Sequence, residues 1–198
     1  MLDFSYEIEA HENGYNVVCG VDEAGRGPLA GPVFAAAVIL PENCEIEGLN
    51  DSKKLSEKKR EMLFDIIKEK AISWSVASVD EKVIDEINIL QATYLAMKNA
   101  VEGLDVAADY ALIDGNRMPP IEIEGETIVK GDAKSMSVAA ASILAKVSRD
   151  RFMLEIDKQY PQYQFAKHKG YGTKLHYEML TEHGISHCHR VTFLKSCM

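Results

Sequence analysis

Residues 33–40 read Val-Phe-Ala-Ala-Ala-Val-Ile-Leu, eight apolar side chains without a polar interruption. A bilayer span needs roughly 20 such residues, so this run crosses no membrane. A strand with one wet face would alternate between apolar and polar, and this one does not. It fits a strand buried on both faces, which obliges the chain to cover both sides of a sheet. The surrounding pattern provides the covering layers. Strands at 16–21, 33–40, 71–79, 110–113 and 127–130 interleave with helices at about 56–70, 80–103, 133–159 and 173–183. Ser56 is a natural N-cap for the first helix, which has Met62, Leu63, Ile66 and Ile67 on one side. The second helix is broken near Asn88, and the fourth is the last. Residues 43–54 and 161–172 read as loops, the latter rich in Lys and aromatics. Strands alternating with helices after an early hairpin-like pair give an α/β domain with a mixed sheet.

The chain has 198 residues, enough for one domain, and no Pro/Ser/Gly-rich linker or internal repeat divides it. Apolar residues at 46% and charged ones at 27% exclude a disordered chain. Residues 1–7 lack the basic and apolar stretches of a secretory signal. Cys19, Cys44, Cys188 and Cys197 form no Cys-x-x-Cys pair, so a reduced cytoplasmic setting is expected, with two disulfides as the alternative. The net charge of −9 conceals a split. Residues 1–129 carry 11 basic and 25 acidic groups, whereas residues 130–198 carry 11 and 6. Lys53, Lys54, Lys58, Lys59 and Arg60 cluster inside the acidic part. Charge therefore neither requires nor excludes a polyanionic ligand.

Three segments deliver carboxylates near strand ends, where α/β sheets form their sites. Asp22 and Glu23 precede a turn containing Gly25, Arg26 and Gly27. The pair is either a solvated turn or a charged group held by a partner or a metal. The two glycines allow close backbone approach to a ligand and Arg26 offers a phosphate-binding fork. Asp114 ends the strand at 110–113 and is otherwise a turn residue. Asp132 opens the long helix and is otherwise its N-cap. Acids gathered from three segments would repel unless divalent cations lay among them, and hard oxygen donors suit Mg²⁺ or Mn²⁺. Ser135, Ser142, Lys146 and Arg149 share one face of the long helix, either a solvated stripe or a phosphate-contacting surface. Lys53, and the basic loop around Tyr171, are candidate nucleic-acid contacts or plain surface. His183, His187, Cys188 and His189 lack the second ligand pair a structural zinc site requires, and zinc is not expected.

Val-Asp-Glu-Ala-Gly-Arg-Gly-Pro-Leu-Ala-Gly-Pro-Val at 21–33, Asp-Ser-Lys-Lys-Leu-Ser at 51–56 and Ile-Asp-Gly at 113–115 occur in one order. They are followed by Lys-Gly-Asp-Ala-Lys-Ser-Met-Ser-Val-Ala-Ala-Ala-Ser-Ile-Leu-Ala-Lys-Val at 130–147, Gly-Tyr-Gly-Thr-Lys-Leu-His at 170–176, and His189-Arg190. This succession resembles the bacterial ribonuclease HII family. Val191-Thr-Phe and the short Cys-containing tail depart from the pattern but lie outside the acids. The resemblance implies a ribonuclease H-like fold, a central mixed β-sheet flanked by helices with a C-terminal helical extension. Residues 1–198 would form one domain, with a catalytic core at about 16–160 and the extension at about 161–198.

The resemblance also implies hydrolysis of the RNA strand of RNA–DNA hybrids and incision 5′ of ribonucleotides embedded in duplex DNA. The products would be a 5′-phosphate and a 3′-hydroxyl. Asp22, Glu23, Asp114 and Asp132 correspond to the catalytic, metal-binding acids, with two Mg²⁺ or Mn²⁺ ions expected beside substrate. Asp22 would bridge both ions, and Asp132 would complete the second site mainly when substrate is bound. Gly25, Arg26 and Gly27 would lie near the ribose 2′-hydroxyl, and Tyr171 would pack on the sugar at the RNA–DNA junction. Lys53 and Lys146 complete the substrate-binding candidates. Expected partners are RNA–DNA hybrids and ribonucleotide-containing DNA, with no membrane, and the protein is expected to act as a monomer. One rival is a metal-dependent DNA nuclease on the same fold, such as a junction resolvase, indifferent to a single ribose. Another is a non-catalytic nucleic-acid binder, against which the four retained acids count. The sister type, ribonuclease HIII, usually adds an N-terminal domain, for which the segment before residue 17 leaves no room.

Overall fold

The computed structural model of the protein describes residues 2–194. In chain order the elements are α1 (Ser5–Glu12), β1 (Val18–Ala24), β2 (Val33–Ile39), α2 (Glu57–Lys70), β3 (Ser73–Val79) and α3 (Glu81–Glu102). They continue with β4 (Tyr110–Asp114), β5 (Glu124–Ile128), α4 (Met136–Gln159), α5 (Phe165–His168), α6 (Lys174–His183) and α7 (Val191–Leu194). Short 3₁₀ turns occupy Ser52–Lys54, Gly131–Ala133 and Pro161–Tyr163.

The strands form one mixed sheet in the order β3-β2-β1-β4-β5. β2 runs antiparallel to both β1 and β3, while β1, β4 and β5 run parallel to one another. Every residue of β2 is buried. Ala35 and Ala37 pack with Ile84 and Ala96 of α3, and Ala36 and Val38 pack with Leu63 of α2 and Ile143 of α4. The uninterrupted apolar run thus serves two cores, one on each face. Gly20 lets α4 press on β1, because a Cβ there would stand 2.2 Å from the Ser137 carbonyl carbon and the Val138 nitrogen. Alanines 139, 140 and 141 are fully buried at the same contact.

Local chemistry explains most of the boundaries. Ser56 and Asp80 cap α2 and α3 by accepting from Lys59 and Val83 N–H. The break expected near Asn88 is present: its φ is +67°, and its side chain re-caps the following segment by accepting from Leu90 and Gln91 N–H.

Several expectations need correction. α2 buries Leu63, Phe64 and Ile67 rather than the Met62 side, and Met62 is 47% exposed. α1 has no counterpart in the sequence pattern, and residues 161–172 contain helical turns rather than only loop. α6 is followed by α7, so it is not the last helix. β5 lies earlier than residues 127–130 because Lys130 takes a left-handed conformation that turns the chain out of the sheet. Ser135, not Asp132, is the N-cap of α4.

Cys19, Cys44 and Cys188 are free thiols, and Cys197 with the remaining tail lies outside the described residues. No described helix is long and apolar enough to cross a membrane.

Candidate active site

Parallel strands end on the same side of a sheet, and that geometry assembles the acids. Val21 of β1 lies in register with Ile113 of β4, so Asp22 and Asp114 emerge side by side. β5 then turns through Lys130 into the 3₁₀ turn that carries Asp132. Gly131 N–H donates to Asp114 Oδ1 at 2.6 Å and fixes this turn against the end of β4. One carboxylate oxygen from each of Asp22, Asp114 and Asp132 falls within 4.8 Å of the others. Among the described residues this is the only cluster with such spacing. Glu23 stands beside it, its carboxylate 3.5 Å from Arg26 Nη1. Glu23 and Arg26 share with Asp114 and Arg117 a cavity of about 290 Å³. A wider cavity of about 520 Å³, between α1 and Ile72 at the opposite end of the sheet, contains none of these acids.

The cluster is electrostatically loaded. Asp22 is 3% exposed; burial, then the charges of Glu23 and Asp114, push its pKa well above the usual carboxylate range. Glu23 is raised by burial, with Arg26 opposing. Asp132 is raised by burial and by Asp114 and Asp51. Burial works against the Lys53 ammonium, but Asp22 and Asp132 outweigh it and raise its pKa, with Nζ 3.7 Å from Asp132 Oδ2. Hard oxygen donors crowded this closely fit a divalent cation, which would replace mutual repulsion by attraction.

Asp51 and Ser142 join this neighbourhood through contacts with the acids that the sequence pattern does not disclose. Asp51 was read only within its motif, yet its carboxylate reaches Asp132, and it caps the Ser52–Lys54 turn by accepting from Lys53 N–H at 2.9 Å. Ser142 hydrogen-bonds the Asp22 side chain and meets Ser52 Oγ at 2.9 Å, tying that turn to α4.

The shared face of α4 also needs correcting. Ser135, Ser142 and Arg149 are all buried against protein partners, so the face is neither solvated nor free for phosphate. Lys146 remains partly exposed and is held by Asp150 at 2.7 Å.

The Gly-rich turn and Tyr171 adjoin one another. Gly25 has φ +98°, while Arg26 and Gly27 are exposed. A Cβ on Gly27 would stand 3.9 Å from Tyr171 Cε1. The Tyr171 ring is 41% exposed, with Lys146 Nζ and Arg149 Cζ over it at 5.8 and 5.7 Å. Below that loop His168, His176 and His189 are buried together. His176 contacts the Tyr171 carbonyl through Nδ1 and His189 through Nε2, at 3.0 and 3.1 Å. His189 is thus part of the packing beneath the tyrosine loop.

Comparison with known proteins supplies the family. The family described as ribonuclease HII matches residues 19–196. A ribonuclease HII of Acetivibrio thermocellus is 60% identical over 191 residues, covering 96% of this chain and 75% of the relative. One of Caldicellulosiruptor bescii is 56% identical over 195 residues, covering 98% and 95%. The crystal structure of ribonuclease H2 from Pyrococcus horikoshii OT3 superposes with a TM-score of 0.73 at 29% identity, over 89% of this chain and 93% of that one. With the ribonuclease H-like sheet and the acid cluster already established, these matches place the chain in the ribonuclease HII family, divalent-metal-dependent endonucleases that hydrolyse the RNA of RNA–DNA hybrids.

Proposed function

We propose that this enzyme also incises duplex DNA on the 5′ side of an embedded ribonucleotide, leaving a 5′-phosphate and a 3′-hydroxyl. The observation that carries the reading is the meeting of three acids within 4.8 Å, next to a glycine turn and an exposed tyrosine able to read a sugar. Asp22, Glu23, Asp114 and Asp132 would hold two Mg²⁺ or Mn²⁺ ions, which supply an activated water and stabilise the departing 3′-oxygen. The protein's own groups place the substrate. Gly25, Arg26 and Gly27 bring backbone and guanidinium to the phosphate and the 2′-hydroxyl, the group that separates RNA from DNA. Tyr171 stacks on the sugar at the junction, and Lys53 and Lys146 neutralise phosphates. The chain acts as a monomeric single domain, with residues 161–198 as an extension that carries Tyr171.

The test is cleavage of three duplexes, containing one embedded ribonucleotide, a continuous RNA strand, or DNA alone, with and without EDTA. Cleavage of the first two only, abolished by EDTA and by Asp114→Asn, is the expected result. Equal cleavage of all-DNA duplex, or incision that survives EDTA, would refute the reading. All-DNA cleavage would favour the junction-nuclease alternative.

A further inference from the structure

Two guanidiniums lie fully buried beneath the Gly-rich turn. Arg149 of α4 and Arg190, just before α7, are both 0% exposed. Neither belongs to any ion pair among the described residues. Each is satisfied by backbone carbonyls. Arg190 donates to Gly25 O at 2.6 Å, Arg26 O at 3.0 Å and Gly31 O at 2.9 Å. Arg149 donates to Ala30 O at 3.1 Å, Pro32 O at 3.2 Å and Lys169 O at 3.0 Å. The planar, rigid fork of arginine suits this use, and a lysine cannot reproduce it. Burial, then the charge of Arg149, lowers the Arg190 pKa to about 9, which leaves it charged at neutral pH.

The consequence follows from peptide geometry. In a trans peptide the carbonyl of one residue and the N–H of the next point in opposite directions, and the described residues include no cis bond. With Gly25 O and Arg26 O drawn inward by Arg190, the N–H groups of Arg26 and Gly27 must face out. Both residues are exposed, and neither N–H is donated to any group among the described residues. Gly25 has no side chain for the same reason: a Cβ would stand 2.1 Å from Arg149 Nε. Arg149 also ties the turn to the tyrosine loop, through Lys169 O and by lying over the Tyr171 ring. Leu29 N–H, donated to Gly170 O at 2.8 Å, closes the same seam.

We infer that Arg149 and Arg190 are positioning residues for ribose recognition: without touching nucleic acid, they aim the Arg26 and Gly27 amides at the substrate and lock the turn to Tyr171. The inference rests on the proposed incision at embedded ribonucleotides. Two buried positive charges also sit under the place where a phosphate would lie, which favours the anion without a surface footprint.

The test uses the full chain with Arg149→Lys and Arg190→Lys, which keep the charge and lose the fork. kcat and KM are measured on the embedded-ribonucleotide duplex and on the continuous hybrid, and Mn²⁺ affinity is read by electron paramagnetic resonance without substrate. The expected result is a ten-fold or greater loss of kcat/KM on the embedded substrate, a smaller loss on the hybrid, and Mn²⁺ affinity unchanged within about two-fold. Unchanged preference, or a parallel loss of Mn²⁺ binding, overturns the inference. Should either variant fail to fold, the wild type decides. Amide shifts of Arg26 and Gly27 on titration with the embedded-ribonucleotide duplex in Ca²⁺ should exceed those with the matched all-DNA duplex, and equal shifts overturn the inference. A wild type with no preference for the embedded ribonucleotide would instead sink the functional reading itself.

Discussion

Replacing Asp22 by Asn should make the metal-free protein more stable and the metal-loaded protein less so. Asp22 is 3% exposed and shares a 4.8 Å cluster with Asp114 and Asp132. Two unit charges at that distance repel by about 3.5 kcal/mol at an effective dielectric of 20. The buried site escapes part of this by taking up a proton, so a gain of ~2 kcal/mol for the neutral amide is expected. The amide oxygen can still accept from Glu23 N–H, which donates to Asp22 Oδ1 at 2.7 Å, and the new N–H₂ can donate to a neighbouring carboxylate. An acid whose folded pKa is raised loses stability as pH climbs from its unfolded value to its folded one. The advantage of the variant should therefore widen with pH above about 4. Each kcal/mol is worth about 2–4 °C for a chain of this size, giving a rise of roughly 4–8 °C in EDTA at pH 7.5. Adding Mg²⁺ reverses the order, because cation bound to the folded wild type stabilises it by about 2.7 kcal/mol at a hundred-fold excess over Kd. Thermal unfolding of both proteins in EDTA and in Mg²⁺ is the assay. If D22N is the less stable protein in EDTA, or gains as much from Mg²⁺ as the wild type, the account of a cluster strained for want of cations is wrong.

Tyr171→Ala should lower the preference for embedded ribonucleotides over continuous RNA while moving the midpoint of unfolding little, since the ring is 41% exposed; an unchanged ratio refutes the stacking role. His176 and His189 are held down to about 4, chiefly by burial. The unfolded chain thus binds protons first as pH falls below 6.5, and stability present above 6.5 declines towards pH 4. A loss of up to about 3 kcal/mol between pH 7.5 and 5.5, read from urea unfolding in saturating Mg²⁺, is expected. Glu7 Oε1 accepts from Ser135 Oγ, Ser137 Oγ and Ser137 N–H at 2.6, 2.6 and 2.9 Å, so Glu7→Ala should cost about 2–4 kcal/mol by leaving buried donors unpaired, and should weaken Mn²⁺ binding by loosening the segment next to Asp132. Mn²⁺ titration and urea unfolding check both halves.

What the sequence disclosed was local. An apolar run with no wet face specified a central strand, and Ser56, Asp80 and Asn88 marked helix starts and a break through hydrogen bonds spanning two or three residues. The acids were legible for the same reason, since strand ends are visible in the pattern: Asp114 closes β4, Asp22 lies two residues before the end of β1, and Asp132 follows β5 in a 3₁₀ turn. Features set by distant partners were hidden. Glu7 is buried because serines about 130 positions away need its oxygen, and α1 itself shows almost no apolar stripe to betray it. Phe64 rather than Met62 joins Leu63 and Ile67 inside because helical spacing fixes which residues share a face, not which face meets α4. Arg149 was the largest misreading. An arginine on a polar helix stripe reads as solvent-facing, and only the folding of residues 25–32 and 169 around it supplies the carbonyls that take it inside.

The inward turn of Arg149 bears on how the two halves of the site are kept in step. Ser135, Ser142 and Arg149 are spaced by seven, two helical turns less about 20°, so they recur on one face of α4. The first caps the helix just beyond Asp132, the second hydrogen-bonds Asp22, and the third holds the Gly-rich turn and the Tyr171 loop. One rigid element, about 21 Å from Ser135 to Arg149 at 1.5 Å per residue, spans from the acid cluster to the Tyr171 loop. The proposed incision at a fixed offset from a ribose needs that separation held constant, and loops alone would let it drift. The same constraint accounts for the alanines and the close approach at Gly20 that pack the first half of α4 against β1, because a helix used as a ruler has to be clamped to the sheet.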